Sequence, residues 1–280
     1  MNEFDQTNKS FHVDPDYADM LNTLGMADMD GVFNFSGGKD LAKSGLAKFR
    51  KRIMFSDNSG QTFFLKRYQS IPKSKQIKNW LEHKSRKSTM SFDMGPVDQL
   101  AKNGIATPQT IAFGQEFKGL FEKRSFIITK KIPKADSLEK KLPDYFTSTA
   151  DVDSGKRKKF IESLADFARR FHQTGFRHRD FYLCHIFCSD SEDLTLIDLN
   201  RIFRPSLTSE RFRVKDIAQL YYSAPGSIFS KADRLRFYIA YAGIGKLSAA
   251  DRRFIKKVKK RAKKMAAHDI KHSRQVPFAS

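Results

Sequence analysis

The sequence predicts an α+β fold with a strand-rich first part and a helical second part. Short runs rich in aromatic and β-branched residues recur up to about residue 132, and a turn signal at Asn58–Gly60 separates two of them. From about residue 133 the apolar residues recur at helical spacing instead. With 280 residues, 40% of them hydrophobic, the chain is long enough for a core in each part. We therefore expect a small β-rich lobe at 31–132 and a mainly helical lobe at 133–280.

Five runs of the first part have strand character. They are VFNF from Val32, KFRKRIMF from Lys48, QTFFLKRY from Gln61, ATPQTIAFG from Ala106 and SFIITKKI from Ser125. A basic segment that contains the only tryptophan, Trp80, follows the third run. A short helix after it is predicted to end at Asn103–Gly104, because glycine favours the left-handed conformation of a helix C-terminus.

The second part is predicted to be helical because its apolar residues share faces at 3.6-residue spacing. In residues 156–174 these are Phe160, Leu164, Phe167, Ala168 and Phe171, and Gly175 is predicted to end the helix. Further helices are expected at 210–223, 231–242 and 249–266. The last two begin with Ser230 and Asp233 and with Ser248 and Asp251, which form the capping-box pattern that satisfies free amides of the first turn.

Charge is the outlying property of the composition. Lysine and arginine outnumber aspartate and glutamate, 52 against 31, for a formal net charge of +21. Such a chain attracts anionic membranes, nucleic acid or phosphorylated substrates, although a solvated basic surface explains the charge equally well. Residues 1–30 are the exception, with seven acids against Lys9 alone. We therefore expect an acidic N-terminal extension over 1–30.

Several classes of protein are disfavoured. No window approaches eighteen consecutive apolar residues, and the start lacks the basic and apolar regions of a secretory signal. The two cysteines, Cys184 and Cys188, complete no zinc set and are expected to be reduced packing residues. These observations favour a cytoplasmic protein.

The end of the chain predicts a basic helix. From Arg252 to Lys264 nine of thirteen residues are basic and none is acidic. Phe254, Val258, Ala262 and Met265 form a narrow apolar stripe, so we expect this helix to pack by the stripe and to expose its charges. An anionic membrane surface is compatible with that packing, since each basic residue near such a surface contributes about 1 kcal/mol.

Residues 178–200, HRDFYLCHIFCSDSEDLTLIDLN, are the most informative about chemistry. They join a His-Arg-Asp turn ending on Asp180 to the apolar run Leu194–Ile197, which ends on Asp198. Lys66 lies late in a predicted strand of the first part. Phosphoryl transfer needs a cation on the phosphates, a metal clamp and a base that orients the acceptor hydroxyl. Each of these three residues is weak evidence alone, but their order along the chain indicates this chemistry.

Five segments carry a resemblance to a known family. They are FLKRY at 64–68, SFIIT at 125–129, HRDFYLCHIF at 178–187, LTLIDLNR at 194–201 and RFRVKDIAQLYYS at 211–223. They resemble the lipopolysaccharide kinase family (the Kdo/WaaP group), and Tyr182 and His185 follow that family rather than ordinary protein kinases. The resemblance implies a protein-kinase-like bilobal fold that binds ATP between its lobes. It also implies phosphorylation of sugars of the lipopolysaccharide inner core.

The resemblance also implies roles for individual residues. Asp180 would be the catalytic residue that accepts or orients the acceptor proton, and Asp198 would hold Mg²⁺, with His185 at the second metal position. Asp216 would brace the catalytic turn through backbone hydrogen bonds. The ATP-binding residues would be Lys66 on the phosphates, Asp93 as its ion-pair partner, Gly37 and Gly38 as a phosphate loop, and the backbone of Thr129, Lys130 and Ile132 around adenine.

Several positions depart from the protein-kinase pattern, among them His185 and Asp93. His185 stands where an asparagine would bind metal, and imidazole is a poor partner for the oxygen-preferring Mg²⁺. It could instead position a phosphate, contact Asp198 or bind a softer metal. Asp93 stands where a glutamate would pair with Lys66, and its side chain is one methylene shorter, so that the ion pair needs a closer approach.

The expected function is therefore ATP- and Mg²⁺-dependent phosphorylation of a hydroxyl on a lipid-linked sugar, heptose or Kdo, at the cytoplasmic face of the inner membrane. A kinase for a soluble small molecule or a protein side chain has the same three residues. A pseudokinase or a basic RNA-binding protein is the non-catalytic alternative. Nucleic acid is not expected as a partner because no RNA-recognition motif with interleaved aromatic residues is present. The sequence predicts no oligomeric state.

Overall fold

A computed structural model of the chain describes residues 9–41, 48–146, 154–274 and 276–277. The first eight residues of the predicted acidic extension lie outside the described residues. The chain divides into two units. The first comprises Met1–Gly95 and Pro108–Ile132, and the second comprises Pro96–Thr107 and Pro133–Ser280.

The described residues of the first unit form a sheet with four α-helices. Its strands are β1 (Lys9–Val13), β2 (Lys39–Asp40), β3 (Arg50–Ser56), β4 (Thr62–Gln69), β5 (Thr110–Lys118) and β6 (Phe121–Lys130). Its helices are α1 (Ala18–Thr23), α2 (Met29–Asn34), α3 (Lys73–His83) and α4 (Thr89–Met94). The six strands pair in the order β1-β5-β6-β4-β3-β2, all antiparallel. One face of the sheet is covered by apolar residues of α1 and α2, which share a buried core with side chains of β3 to β6.

Residues 9–34 are part of this unit, although the sequence assigns residues up to 30 to an extension. Strand β1 pairs with β5, from Lys9 opposite Glu116 to Val13 opposite Ala112. Leu21, Met26, Met29 and Val32 are each 1% exposed or less. The acidic side chains alternate with these apolar ones and remain at the surface. The segment is therefore amphipathic, which its acidic composition does not indicate.

The predicted strand VFNF is helical instead. It forms the end of α2 and the residue after it, and Asp28 caps that helix by accepting a hydrogen bond from the amide of Gly31 at 2.7 Å. An apolar run of four residues fits a strand or a buried helix equally well, and the cap decides between them here.

The second unit is mainly helical. Its helices are α5 (Val97–Ala101), α6 (Leu138–Phe146), α7 (Ser154–Gln173), α8 (Ser209–Ser223), α9 (Lys231–Ala242) and α10 (Ala249–Lys271). Its strands β7 (Ala135–Ser137), β8 (Ile186–Ser189) and β9 (Leu194–Leu196) form a small antiparallel sheet in that order. The predicted helices over 156–174, 210–223, 231–242 and 249–266 are confirmed, and both predicted capping boxes are present.

Residues 96–107 belong to the second unit, whereas the sequence placed them in the β-rich lobe. Leu100 and Ile105 are fully buried in the helical core, and Ala106 forms a parallel bridge with Thr195 of β9. Arg170 of α7 donates a hydrogen bond to the carbonyl of Gly104 at 2.5 Å. The position of this segment depends on long-range packing, which its short local pattern does not encode.

The C-terminal helix packs as predicted. Phe254, Val258 and Ala262 are 5%, 4% and 0% exposed, and Met265 packs against the same core. The basic residues between Arg252 and Lys264 are all exposed. Among the described residues, no helix combines the length and the apolar character that crossing a membrane requires.

Candidate active site

In the first unit, Lys66 and Asp93 form the predicted ion pair. Phe63 and Leu65 of β4 point into the core, so that Lys66 and Tyr68 are presented from alternate positions of the strand. The Nζ of Lys66 lies 2.9 Å from the Oδ2 of Asp93 on α4, and the hydroxyl of Tyr68 donates to the same oxygen at 2.5 Å. Helix α4 packs directly against β5 and β6. This proximity lets the shorter aspartate side chain reach the lysine.

The charge of Asp93 is stabilised by cations although the residue is buried. Burial alone raises the pKa of its carboxyl, but the positive charges of Lys66 and then Arg50 outweigh burial and hold that pKa below the usual value. Arg50 lies 4.0 Å from the carboxylate and 5.7 Å from the ring of Tyr68. The sequence did not single out Arg50 or Tyr68, although Tyr68 follows Lys66 by two positions and therefore shares its face of the strand.

At both predicted phosphate-loop glycines a larger residue would clash with its neighbours. Gly38 has a φ of +84°, and a Cβ there would lie 2.5 Å from the carbonyl oxygen of Met54. A Cβ on Gly37 would lie 2.8 Å from the ring of Phe35. Both residues precede β2 rather than connecting β2 to β3. Most of that connection, residues 42–47, lies outside the described residues, and phosphate binding by the two glycines stays a prediction.

The predicted adenine-binding segment ends strand β6. Thr129 pairs with Phe64 and Thr110, and the amide of Lys130 donates to the carbonyl of Gln109 at 2.9 Å. The Nζ of Lys130 donates to the hydroxyl of Tyr17 at 3.0 Å. Lys130 is thus engaged within the first unit by both backbone and side chain.

Within that segment Ile132 is a better candidate than Lys130 for hydrogen bonding to adenine. Among the described residues its amide donates to no backbone carbonyl, and the next residue, Pro133, has no N–H. Its amide and carbonyl are therefore the groups of this segment that suit a planar heterocycle.

In the second unit, Asp216 on α8 holds the turn that carries Asp180. The carboxylate of Asp216 is fully buried and accepts hydrogen bonds from the amides of His178 at 2.9 Å and Arg179 at 3.2 Å. His172 lies 3.2 Å from the same carboxylate through Nε2. Burial lowers the pKa of His172, so its neutral ring donates to Asp216. The predicted bracing role of Asp216 is confirmed.

Two more polar side chains of α8 extend this support. The Oε1 of Gln219 accepts from the amide of Phe181 at 2.9 Å, and its Nε2 donates to the carbonyl of Arg179 at 2.6 Å. The hydroxyl of Ser223 accepts from the amide of Leu183 at 3.1 Å. Asp216, Gln219 and Ser223 follow one another by three and four residues, so they lie on one face of α8. Gln219 and Ser223 were not predicted from the sequence, although their helical spacing from Asp216 was the available signal.

Two histidines connect the Asp180 turn to the residues that follow β9, Ile197 and Asp198. The Nε2 of His178 donates to the carbonyl of Ile197 at 3.1 Å. The Nδ1 of His185 donates to the carbonyl of Asp180 at 2.7 Å, which leaves its Nε2 facing the Oδ2 of Asp198 at 3.6 Å. The structure therefore brings together Asp180, His185 and Asp198 as the sequence predicted.

The protonation of His185 follows from its neighbours. Burial by itself lowers the pKa of this imidazole. The side chain of Cys184, the backbone carbonyl of Asp180 and the carboxylate of Asp198 outweigh burial and raise the pKa to about 9. His185 is thus a cation at neutral pH and forms an ion pair with Asp198.

The backbone at both aspartates is constrained. Asp198 itself has a φ of +58°, and Arg179, the residue before Asp180, has a φ of +65°. Non-glycine residues adopt this region rarely and at a free-energy cost of about 1–3 kcal/mol. The hydrogen bonds from α8 and the two histidines provide the surroundings that maintain these conformations.

Arg201 was not predicted but contacts the candidate catalytic residue. Its Nε lies 2.9 Å from the Oδ2 of Asp180, and both side chains are partly exposed, at 47% and 29%. Arg201 is the last residue of LTLIDLNR, three positions after Asp198, and the short 3-10 helix Leu199–Arg201 turns it back toward Asp180.

The ligand set suits Mg²⁺ at Asp198 better than at His185. Among the described residues, no group of three or more His, Cys, Asp or Glu side chains could hold a metal ion. Mg²⁺ commonly takes one or two carboxylates and completes its shell with water and substrate phosphates, which a single carboxylate at Asp198 permits. His185 would have to lose its proton to ligate, so it fits an Mg²⁺ site poorly and fits contact with Asp198 well.

Comparison with known proteins identifies the class and then the family. Residues 42–241 match the model of a kinase family, which makes the chain a phosphotransferase with an alcohol group as acceptor. The family is described as the lipopolysaccharide kinase (Kdo/WaaP) family, and the chain belongs to it. The resemblance drawn from the sequence is thereby confirmed.

Three relatives illustrate the similarity. The chain is 28% identical over 198 residues to the lipopolysaccharide core heptose(I) kinase WaaP of Escherichia coli, covering 68% of this chain and 74% of that protein. It is 27% identical over 198 residues to the protein of the same name from Pseudomonas aeruginosa, covering 68% and 73%. A solved structure, WaaP in complex with acyl carrier protein, aligns with a TM-score of 0.65 at 21% identity, over 91% of this chain and 98% of that one. The predicted α+β, kinase-like fold is confirmed.

Proposed function

We propose that this protein transfers the γ-phosphoryl group of ATP to a hydroxyl of a lipid-linked sugar, a heptose or Kdo of the lipopolysaccharide inner core. The observation that carries the proposal is the arrangement of Asp180, His185 and Asp198, fixed by α8 and by His178 in the second unit. Family membership supports a sugar hydroxyl as the acceptor, and the relatives named heptose(I) kinase favour heptose.

Asp180 is proposed as the catalytic residue. Its carboxylate would accept a hydrogen bond from the acceptor hydroxyl and take the proton as the hydroxyl oxygen attacks the γ-phosphorus. The bond between that phosphorus and the β–γ bridging oxygen breaks, and ADP leaves with the electron pair. Arg201 lies beside Asp180 at 2.9 Å, so an acceptor approaches the carboxylate next to a guanidinium.

The remaining polar residues are proposed to bind the nucleotide. Lys66, oriented by Asp93, would contact the α- and β-phosphates, and Asp198 would hold Mg²⁺. When bound, Mg²⁺ neutralises charge that develops on the phosphates during transfer. The backbone of Thr129–Ile132 would contact adenine chiefly through Ile132, because Lys130 is engaged within the sheet.

The test is replacement of Asp180. We expect Asp180→Ala and Asp180→Asn to lower transfer from radiolabelled ATP to dephosphorylated inner-core lipopolysaccharide by about 10²–10⁴-fold, with the circular dichroism spectrum unchanged. Asp190→Ala is the matched control, since Asp190 is an aspartate of the same unit whose side chain is 72% exposed. Unchanged turnover in the folded Asp180 variants would reject the proposed catalytic role.

A cavity in the second unit supports an acyl carrier protein as a partner. The similar solved structure contains an acyl carrier protein. Here a cavity of about 540 Å³ is lined by Leu164, Leu220, Phe229, Tyr238 and Ile255, among other residues. The lining is predominantly apolar and includes Arg234, Arg252 and Lys259, a combination that suits an acyl chain beside an anionic group.

Binding of acylated and unacylated carrier protein, measured by calorimetry, tests this partner. We expect tighter binding of the acylated form and loss of that preference in Ala224→Trp, which narrows the cavity. Equal binding of the two forms would reject a role for the cavity.

We also propose a peripheral location at the cytoplasmic face of the inner membrane. The exposed basic residues of α10 suit an anionic lipid surface, while the buried stripe of the same helix holds it on the protein. Charge reversal at Lys256, Lys260 and Lys264 should weaken sedimentation with anionic vesicles. Sedimentation equal to that of the wild type would exclude α10 from membrane binding.

A further inference from the structure

Helix α3 in the first unit buries a glutamine and exposes two large apolar residues. Gln76 is 3% exposed, whereas Ile77 and Leu81 are 44% and 73% exposed. Ile77 and Leu81 are one turn apart and therefore lie on the same face. A surface helix in water normally buries its apolar residues and exposes its polar ones, so this arrangement requires an explanation.

The orientation of α3 is fixed by specific contacts. The side chain of Gln76 donates to the carbonyls of Ile71 at 3.0 Å and Glu122 at 3.1 Å, and it accepts from the amide of Glu122 at 2.8 Å. The ring of Trp80 stacks on Phe121 with centroids 5.7 Å apart. Rotating the helix to bury Ile77 and Leu81 would break these contacts, so the exposed apolar face is a property of the folded unit.

A third exposed apolar residue directly precedes β6, the strand against which α3 packs. Leu120 is 62% exposed at the turn between β5 and β6, and it is the chain neighbour of Phe121, on which Trp80 stacks. Among the described residues, six large hydrophobic side chains are exposed, and three of them are Ile77, Leu81 and Leu120. We call these three residues the α3 patch. Scattered exposed leucines need no explanation, but a cluster indicates an interaction site.

The surroundings of the α3 patch are strongly basic. Residues 73–87 contain six lysines and arginines and one acid, Glu82. Lys73 lies over the ring of Phe121, with its Nζ 5.0 Å from the centroid. The described basic residues of this segment, Lys73, Lys75, Lys78, Lys84, Arg86 and Lys87, are all exposed.

We propose that the α3 patch inserts into the surface of an anionic lipid bilayer. Helices at a membrane interface combine an apolar edge and tryptophan with many lysines, as α3 does. The centres of protein–protein interfaces are depleted in lysine, which argues against a protein as the partner. Lysine stems also cover apolar surface while their ammonium groups reach the lipid phosphates.

This inference rests on the proposed peripheral location for its choice of partner, and it assigns the apolar part of the contact to the first unit. It is independent of catalysis. The Asp180→Ala variant, which should lack transfer, should bind vesicles as the wild type does, so failure of one proposal is distinguishable from failure of the other.

Tryptophan fluorescence provides a direct test, because Trp80 is the only tryptophan in the chain. The full-length protein is mixed with vesicles of phosphatidylglycerol and phosphatidylcholine whose acyl chains carry bromine near the headgroup. We expect quenching of Trp80 that requires phosphatidylglycerol and decreases with added salt. Absence of quenching by brominated anionic vesicles would overturn the proposal, whether or not the protein sediments with them.

Paired substitutions locate the contact. Ile77→Glu with Leu81→Glu should lower partitioning into anionic vesicles by about tenfold or more, since two apolar side chains lose their burial in lipid. Leu207→Glu is the matched control, because Leu207 is 79% exposed in the second unit, and it should change partitioning little. Equal thermal unfolding midpoints show that all variants are folded. Wild-type partitioning of the double variant, or an equal loss in Leu207→Glu, would contradict the assignment to α3.

Discussion

Asp93 in the first unit and Asp216 in the second unit are both buried, but they bind different kinds of partner. In the first unit Asp93 faces side-chain cations, Lys66 at 2.9 Å and Arg50 at 4.0 Å. In the second unit Asp216 accepts hydrogen bonds from two backbone amides and from His172. The first carboxylate orients a long side chain, whereas the second fixes the path of the main chain.

This difference follows from what each proposed function requires. A lysine that contacts phosphates needs its charge held at a defined place, and one carboxylate on a neighbouring helix is sufficient. A catalytic aspartate on a turn requires a fixed turn conformation. Arg179 has a φ of +65°, a conformation that a non-glycine residue keeps only when its surroundings stabilise it. Replacing Asp216 should therefore lower the free energy of unfolding more than replacing Asp93 does.

The largest expected effect on stability is that of Asp216→Ala. This substitution leaves two amides and His172 without an acceptor in a fully buried position, so it should lower the free energy of unfolding by about 3–5 kcal/mol. Asp93→Ala should lower it by about 1–3 kcal/mol, because the side chain of Lys66 is 19% exposed and can reach water. Urea denaturation of both variants measures the comparison, and an equal or reversed order would contradict it.

The next effect is on transfer. Lys66→Ala should lower kcat/KM by about 10²–10³-fold, the range typical of losing one positioned donor to developing charge. Asp93→Asn should lower it less, since Lys66 remains but is no longer fixed by a carboxylate. Steady-state kinetics with varied ATP checks the order. Lys51→Ala is the control, a lysine of the neighbouring strand whose side chain is 54% exposed.

The pH dependence of stability tests the ion pair of Asp93 with Lys66. The pKa of Asp93 in the folded protein lies below its unfolded value near 3.8, because Lys66 and Arg50 outweigh burial. A depressed pKa contributes stability above the unfolded pKa, and this contribution is lost as the pH falls through the folded pKa. The difference in unfolding free energy between wild type and Asp93→Asn should be constant from about pH 7 to pH 5 and shrink below about pH 4. Denaturation curves across this range check it, and a difference that grows toward acid would refute the ion-pair explanation.

Replacement of Arg201 is expected to have the smallest effect on stability. Its ion pair with Asp180 is partly exposed, so Arg201→Ala should change the free energy of unfolding by less than about 1 kcal/mol. The same variant should raise KM for the anionic acceptor more than it lowers kcat, if the guanidinium assists approach to Asp180. A fall in kcat as large as that of Asp180→Ala would show instead that Arg201 takes part in the chemistry.

The strand-rich character of the first part and the long helices of the second unit were predictable from local patterns, and Lys66, Asp180 and Asp198 were singled out by residue type and order along the chain. Helical spacing and capping boxes are local, so the helix over 231–242 and the start of the helix at 249 were found to the residue, whereas α10 continues to Lys271 beyond the predicted end at 266. The chain segments 9–34 and 96–107 were misassigned because their positions depend on contacts far along the sequence, such as β1 with β5 and Arg170 with Gly104. Acidic composition suggested solvent for the first of them, whereas its apolar residues are buried.

The sequence by itself determined which candidate residues this protein has for phosphoryl transfer, Asp180, Asp198 and Lys66, and the family to which they point. Residue type and spacing are sufficient for that, because the chemistry depends on which groups are present and in what order. The tertiary structure decided how these groups are held. It brought Asp93 within reach of Lys66 by packing α4 on the sheet, directed Asp216, Gln219 and Ser223 at one turn, and placed Arg201 beside Asp180. It also turned Ile77 and Leu81 outward by burying Gln76. Such features depend on distances between residues remote in sequence, which local pattern does not specify.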